Sequence, residues 1–393
     1  MKILHIINYY QEGFGYQENL LAFYQKKLGH DVVIVTSDWY FPFPYYESTV
    51  FKTLKERFVG VGWYQDNGIN IYRKKSFFQK IGPPGFIWFT ALNEIRRFKP
   101  NIIHVHGATS LTIFELLLFK KKYSYKIFID SHQDYSVNNR SNSILYKSYY
   151  FLWRFLYNNL KQKKKINKFL PITNSAKKWL KEKLNLNDQE MMIVPLGVDT
   201  KLMKYDPNLE NSFRKYYKIN NKIILINAGK QYEKKRIDWV VDVAIAALKK
   251  KLNIFLILVG DTTNDYNQIL SEKLKILGEN NFIRLPFLKR EDLRKVYCAS
   301  DIGIWPGIPS ITILEAMACR VAMILPDDDI VGHLVHNNGI KESININNAV
   351  EFIHQVSKDK KKLFECKINS EKKIHQFDWE SITVNLLDMY NKY

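Results

Sequence analysis

Short β-branched apolar runs alternate with helical patterns twice along the chain. In the first series the runs are Ile3–Ile7, Val32–Thr36, Ile69–Tyr72, Ile102–His106, Lys126–Asp130, Phe169–Ile172 and Met192–Val194, with helical patterns such as Gln17–Leu28 and Phe86–Phe98 between them. Runs that are apolar at nearly every position predict strands buried on both faces, and intervening helices predict a mostly parallel sheet. A second series begins after Pro195-Leu196-Gly197-Val198-Asp199 and a polar stretch near Asp206–Asn211. Its strands are Ile223–Asn227, Ile254–Val259, Phe282–Leu285, Ile302–Trp305, Ala322–Leu325 and one near Ile344. The expected architecture is α/β, with two doubly wound Rossmann-like domains, 1–200 and 201–375, facing across a cleft. Ligands of such sheets bind at the carboxyl ends of the strands, so the loops after the strands are where chemistry is sought.

The most informative of these loops follows the strand Asp301–Trp305. Pro306-Gly307-Ile308-Pro309 breaks the strand, and Ile311–Cys319 has helical composition with one acid inside it. The start of such a helix presents N–H groups and a positive dipole end, so a diphosphate fits at Ser310, Ile311 and Thr312. Glu315, one turn on, is placed to accept hydrogen bonds from ribose hydroxyls. An ordinary strand and helix with a solvated Glu fits the same residues. Lys230 and Lys235, just beyond the strand Ile223–Asn227, would match the charge of a leaving diphosphate, or are solvated lysines.

The first series offers Glu12-Gly13-Phe14-Gly15-Tyr16-Gln17-Glu18 after its first strand. Two glycines permit close backbone approach, but Glu18 stands where a dinucleotide fingerprint has its third glycine, so NAD binding is not favoured over a plain turn. His104, His106 and His132 end neighbouring strands. Zinc would need a fourth ligand that the sequence does not identify, so no metal is expected there. His132, near Asp130 and Asp134, suits holding sugar hydroxyls or moving a proton, if it is not simply a satisfied loop histidine. Asp327-Asp328-Asp329 contains the acid-x-acid pattern of some metal-dependent sugar transferases, but its place before a helical pattern favours capping.

Length and charge add limits. At 393 residues the chain is larger than a single core. Of its net charge of +20, residues 1–200 carry +14, densest at Arg73–Lys75, Lys120–Lys122 and Lys161–Lys168. Such clusters attract anionic lipid when they are more than solvated surface; nothing resembles a nucleic-acid-binding motif, and no nucleic-acid partner is expected. Tyr149–Tyr157, followed by the basic run, reads equally as a helix lying on a membrane surface or as a core helix with a basic end. No apolar run is long enough to span a bilayer, and Met1–Asn8 lacks the features of a signal peptide. The three scattered cysteines, Cys298, Cys319 and Cys366, fit a reducing compartment. A cytoplasmic protein, peripheral on the inner face of the cell membrane, is the expectation.

Taken together, these segments resemble the retaining glycosyltransferases of family 4, which have the GT-B fold. The resemblance runs in order through Gly15-Tyr16-Gln17-Glu18 with Gly29-His30, Lys99–Gly107, His132, Pro195–Asp199, Gly229-Lys230 with Lys235, Val259-Gly260-Asp261, Tyr297–Asp301 and Glu315–Ala318. It implies metal-independent transfer of a hexose, with retained anomeric configuration, from a nucleotide-diphosphate donor used as substrate with no cofactor: a UDP-sugar first, a GDP-sugar second. Gly15 would approach the donor phosphates, His132 would sit beside the sugar, Lys230 (where the family usually has Arg) and Lys235 would stabilise the diphosphate, and Glu315 would bind the ribose. Backbone at Leu285–Leu288 would meet the base. The helix at 376–393 would pack back on the first domain. Two departures stand out: Gly307 occupies the place of the family's first acid, and Arg320 the place of a usual glycine. The preferred acceptor is a lipid-linked glycan or polysaccharide of the cell envelope. A non-catalytic sugar-nucleotide-binding protein and a nucleotide-sugar epimerase are the rivals.

Overall fold

A computed structural model describes residues 1–43, 46, 54–81, 85–134, 143–159, 165–341 and 345–393. Within these residues the chain forms two compact units, one of residues 1–43, 54–196 and 379–393, the other of Tyr46 and Gly197–Asp378.

The first unit is built on a sheet of β1 (Lys2–Ile7), β2 (Asp31–Ser37), β3 (Gly62–Asp66), β4 (Ile69–Lys74), β7 (Ile102–His106), β8 (Lys126–Ser131) and β9 (Lys168–Pro171), ordered β3-β4-β2-β1-β7-β8-β9. All neighbours are parallel except β3, an antiparallel edge strand on β4. Because side chains alternate across a strand, Leu4, Ile103 and Ile127 enter the core on one face while Ile3, Ile102 and Phe128 enter the other. Helices α1 (Gln17–Lys27), α2 (Leu92–Phe98), α3 (Thr112–Tyr123), α4 (Ile144–Asn159) and α5 (Asn174–Leu184) cover the sheet.

Two segments depart from the sequence expectation. Phe86–Phe98 is not one helix: Phe86–Trp88 is strand β6, hairpin partner of β5 (Phe78–Lys80), because Ile87 and Phe89 are buried at a spacing of two while Trp88 is exposed. Met192–Val194 is not a strand. Its N–H groups at Met192 and Val194 donate to Phe169 and Pro171 carbonyls, but Pro171 has no N–H to return and the ladder stops.

The second unit carries a parallel sheet ordered β12-β11-β10-β13-β14-β15, from β10 (Ile223–Ala228), β11 (Ile254–Val259), β12 (Phe282–Leu285), β13 (Ile302–Ile304), β14 (Ala322–Leu325) and β15 (Gly339–Lys341). The strand expected near Ile344 falls outside the described residues; β15 lies just before it. Helices α6 (Pro207–Tyr216), α7 (Ile237–Lys249), α8 (Asn264–Leu277), α9 (Arg290–Ala299), α10 (Thr312–Ala318), α11 (Ile346–Lys358) and α12 (Lys360–Ile374) complete it. Asp301, buried at the head of β13, is held by Arg214 at 2.8 Å, Lys367 at 3.1 Å and the Ile224 N–H at 2.9 Å. Burial alone would raise its pKa, but Lys367 and Arg214 together hold it below the usual carboxylate range.

The last helix, α13 (Trp379–Lys392), belongs to the first unit. Trp379, Ile382, Leu386 and Tyr390 sink into the same core as Ile3, Ile34 and Leu21, each contributing roughly 1.5–3 kcal/mol by leaving water. Arg320, the second departure from the family pattern, adopts the left-handed conformation (φ 62°). Its guanidinium contacts Glu371 at 2.8 Å and lies over the Tyr205 ring, contacts that offset the roughly 1–2 kcal/mol that this conformation costs a residue with a Cβ.

Candidate active site

In the second unit, the carboxyl ends of β10 and β13 are tied together by three hydrogen bonds. Asn227 Nδ2 donates to the Ile304 carbonyl at 2.6 Å, while Trp305 Nε1 and Thr312 Oγ1 donate to the Ala228 carbonyl at 3.0 and 2.8 Å. These bonds bring Gly229 against the start of α10: a Cβ there would lie 3.5 Å from Ser310 Oγ and 3.9 Å from Thr312 Oγ1. Ile311 is the residue on which α10 begins.

Lys230 follows directly, and Lys235 closes a short 3-10 turn, Glu233–Lys235. Lys235 Nζ donates to the carbonyls of Ile308 and Pro309 at 2.8 and 2.9 Å, so this cation is seated on main-chain oxygens. Burial brings both ammoniums down to about 8, and for Lys235 the charge of Lys230 adds to the effect. Two neighbouring, half-buried cations with depressed pKa values form a place where an anion relieves both desolvation and mutual repulsion.

Glu315 is buried one turn into α10, with Arg290 Nη2 at 3.1 Å from Oε1. Burial raises its carboxyl, and Arg290 works against that shift. Arg290 escaped the sequence reading, although a base opening the helix after β12, at the carboxyl edge of the sheet, is a recognisable signal. Gly307 has a steric cause: a Cβ there would stand 2.3 Å from the Lys234 carbonyl oxygen and 2.7 Å from that of Lys235. The turn that seats Lys235 thus occupies the space in which an acidic side chain would begin. Asp328 Oδ1 accepts from the N–H groups of Ile330 and Val331, both at 2.8 Å, while Asp327 pairs with Lys341, so two acids of the Asp327–Asp329 run have protein partners.

In the first unit, Gly15 (φ 65°) lies in the loop between β1 and α1. Asn19 and Asp66 hold that loop: Asn19 Oδ1 accepts from Tyr16 N–H at 3.0 Å, its Nδ2 donates to the Gln11 carbonyl at 2.9 Å, and Asp66 accepts from Tyr10 at 2.7 Å. His132, exposed after β8, has Nε2 hydrogen-bonded to Gln17 Oε1, which ties it to the first residue of α1, two positions beyond Gly15.

Behind His132 lies a buried network that the sequence did not announce. Asp130 Oδ2 stands 2.5 Å from His106 Nδ1 and 3.3 Å from His104 Nε2, His106 Nε2 meets His5 Nδ1 at 2.9 Å, and His104 Nδ1 meets the Tyr390 hydroxyl at 2.5 Å. His104, His106 and Asp130 could supply three metal-ligand atoms, so the third member of such a set is Asp130 rather than His132. Ligands sharing a tetrahedral zinc lie about 3.3 Å apart, so the 2.5 Å contact joins Asp130 and His106 directly. Burial opposes the Asp130 charge, yet His106 and the hydrogen bonds hold its pKa well below the usual range. Burial likewise opposes the His106 charge, but Asp130 raises its pKa. Burial and the neighbouring imidazole bring His104 down to about 4.

Two family models match the chain, Glycosyltransferase Family 4 over residues 19–202 and Glycosyl transferases group 1 over residues 209–373. The chain belongs to this glycosyltransferase family. No curated protein matches it. Among solved structures, it is similar over 100% of both chains to HepE of Anabaena in complex with UDP (TM-score 0.73, 14% identity). It is similar to sucrose-phosphate synthase of Thermosynechococcus elongatus over 100% of this chain and 99% of that one (TM-score 0.70, 12%). It is also similar over 100% of both chains to WaaG, a glycosyltransferase involved in lipopolysaccharide biosynthesis (TM-score 0.67, 14%). At these identities the likeness is one of fold, and the fold is GT-B, with two Rossmann-like domains. As a glycosyltransferase, the chain has its candidate donor-side cations, Lys230 and Lys235, in the group 1 half.

Proposed function

We propose that this glycosyltransferase is a retaining, metal-independent hexosyltransferase that moves a sugar from a nucleotide-diphosphate donor, a UDP-sugar before a GDP-sugar, to a hydroxyl of a lipid-linked glycan in cell-envelope polysaccharide assembly. The observation that carries the reading is the pair Lys230 and Lys235, desolvated at the carboxyl end of β10 beside Ser310 and Thr312. A donor diphosphate there accepts hydrogen bonds from the two ammoniums, which supply the positive charge that a metal supplies elsewhere. Glu315, kept partly in check by Arg290, accepts from the ribose hydroxyls. Gly15 and His132, in the other unit, are assigned to the phosphates and the sugar on the strength of the family resemblance. HepE has been solved with UDP and with UDP-glucose, which supports a uridine donor here.

In the reaction, the C1–O bond to the β-phosphate breaks and the acceptor hydroxyl bonds to C1 on the same face. The departing phosphate oxygen takes the hydroxyl proton. The lysines stabilise the dianion as it forms, and that is where catalysis resides. Incubation of the protein with UDP-glucose and a lipid-linked sugar acceptor, followed by NMR of the new linkage, tests the reading. It expects a glycosidic product with the donor's anomeric configuration. UDP binding without turnover of any nucleotide sugar would indicate a non-catalytic binder. Donor interconversion without acceptor would indicate an epimerase.

A further inference from the structure

Helix α4 is apolar on two opposite faces. Its inward face is Tyr146, Tyr150, Trp153 and Tyr157, at spacings of four, three and four, packed into the first unit's core, with the Tyr157 hydroxyl on the Ala108 carbonyl at 2.7 Å. The outward face repeats the helical spacing with hydrocarbon on either side of the exposed Ser148: Ile144 (81% exposed), Leu145 (68%), Phe151 (70%), Leu152 (54%) and Phe155 (42%). Helix α3 joins α4 through the stacked rings of Phe114 and Trp153, and one turn beyond Phe114 it exposes Leu118 (76%). A globular helix normally turns polar residues outward, so a hydrocarbon stripe of this length marks a surface that something covers.

The charge around the stripe says what covers it. Between Glu115 and Glu182 the sequence holds fifteen Lys and Arg residues and two acids, Asp130 and Asp134. Both acids are buried. The exposed bases Lys147 and Arg154 sit among the stripe residues, and Lys121 and Lys122 follow Leu118. Part of the basic run, Lys161–Lys164, lies outside the described residues. A second copy of the chain would bring the same basic segment, whose two acids are buried, against itself, which like-charge repulsion disfavours. Hydrocarbon flanked by bases is instead the pattern of a helix that lies in a bilayer interface, with its apolar side chains below the headgroups and its cations on the phosphates.

We propose that the outward face of α4, with Leu118 of α3, docks on an anionic lipid bilayer. The proposal extends the lipid-linked acceptor reading, but its test makes no use of sugar chemistry. The full chain is sedimented with phosphatidylcholine vesicles with and without phosphatidylglycerol. Binding is expected only with the anionic lipid, and it weakens as salt rises. The Phe151→Ser/Leu152→Ser variant lowers partitioning at least about tenfold, and Lys147→Ala and Arg154→Ala each lower it about fivefold. A thermal shift with UDP, unchanged in the variants, shows that fold and donor site survive. Failure of the wild type to sediment with anionic vesicles overturns the proposal, as does undiminished binding by the variants. So does a dimer seen without lipid that the Phe151→Ser/Leu152→Ser change dissolves, which would make the stripe a self-association face. Vesicle binding with no UDP shift in any form would leave the docking face standing and count against the donor reading alone.

Discussion

Asp130 and Lys235 hold comparable positions, each at or beyond the carboxyl end of an interior parallel strand in its own unit, yet their surroundings differ in kind. Asp130 is packed among imidazoles, with His106 at 2.5 Å and His104 at 3.3 Å, and the network runs on to Tyr390 of α13. Lys235 rests on two carbonyl oxygens with Lys230 for an electrostatic neighbour. The first arrangement satisfies its own charges and holds a core together. The second holds two ammoniums side by side in partly desolvated surroundings, which costs stability and gains a place for an anion.

The sharpest way to break that contrast is to remove Asp130. Asp130→Ala leaves His106 buried without its counter-charge, so unfolding in urea should show a loss of roughly 3–5 kcal/mol. A loss below about 1 kcal/mol would mean that the cluster does not hold the core. Lys230→Ala should do the reverse, lowering sugar transfer about 10²–10³-fold while the urea midpoint holds or rises. A lower midpoint with near-normal turnover would exchange the two roles.

pH sharpens the comparison further. Lys230 and Lys235 titrate near 8 in the folded chain and near 10.5 as free side chains. The unfolded chain therefore binds more protons between those values, and this pair makes stability rise with pH across the window. UDP, which favours the charged ammoniums, should bind with uptake of up to about half a proton per lysine at pH 8 and more weakly above it, as calorimetry in buffers of different ionisation enthalpy would show. His104 works in a lower window. Its folded pKa of about 4, against 6.5 for a free histidine side chain, makes stability fall as pH drops from 6.5 toward 4. The smallest effect belongs to Tyr390→Phe, which removes the hydroxyl on His104 Nδ1 and should cost about 1 kcal/mol in the same unfolding assay.

Much of the fold was legible because strands buried on both faces write themselves as continuous apolar runs; β7 and β11 appear residue for residue. What was not legible has physical reasons. Strand β3 is a half-polar edge and β6 is too short to show its period, so Phe86–Phe98 resembled one helix. The histidine network depends on register: pairing sets His5 opposite His104 and His106 opposite Asp130, and no local pattern announces contacts between residues that far apart. In the second unit, Lys230, Lys235 and Ser310–Glu315 could be singled out because each lies in, or opens the helix after, a segment leaving the carboxyl end of a strand. Arg290 was passed over because its partner, Glu315, lies on another helix.

Gly307 sets a condition on how this chain and its relatives exchange parts. The backbone of Lys234 and Lys235 fills the volume in which a side chain at 307 would start, so a single-codon return to an acid there would meet main chain instead of substrate. The turn at 233–235 and the segment at 305–309 are therefore fitted to each other as one unit. Grafting either alone from a relative should yield a misfitted loop, while transplanting both would carry the lysine seat across intact.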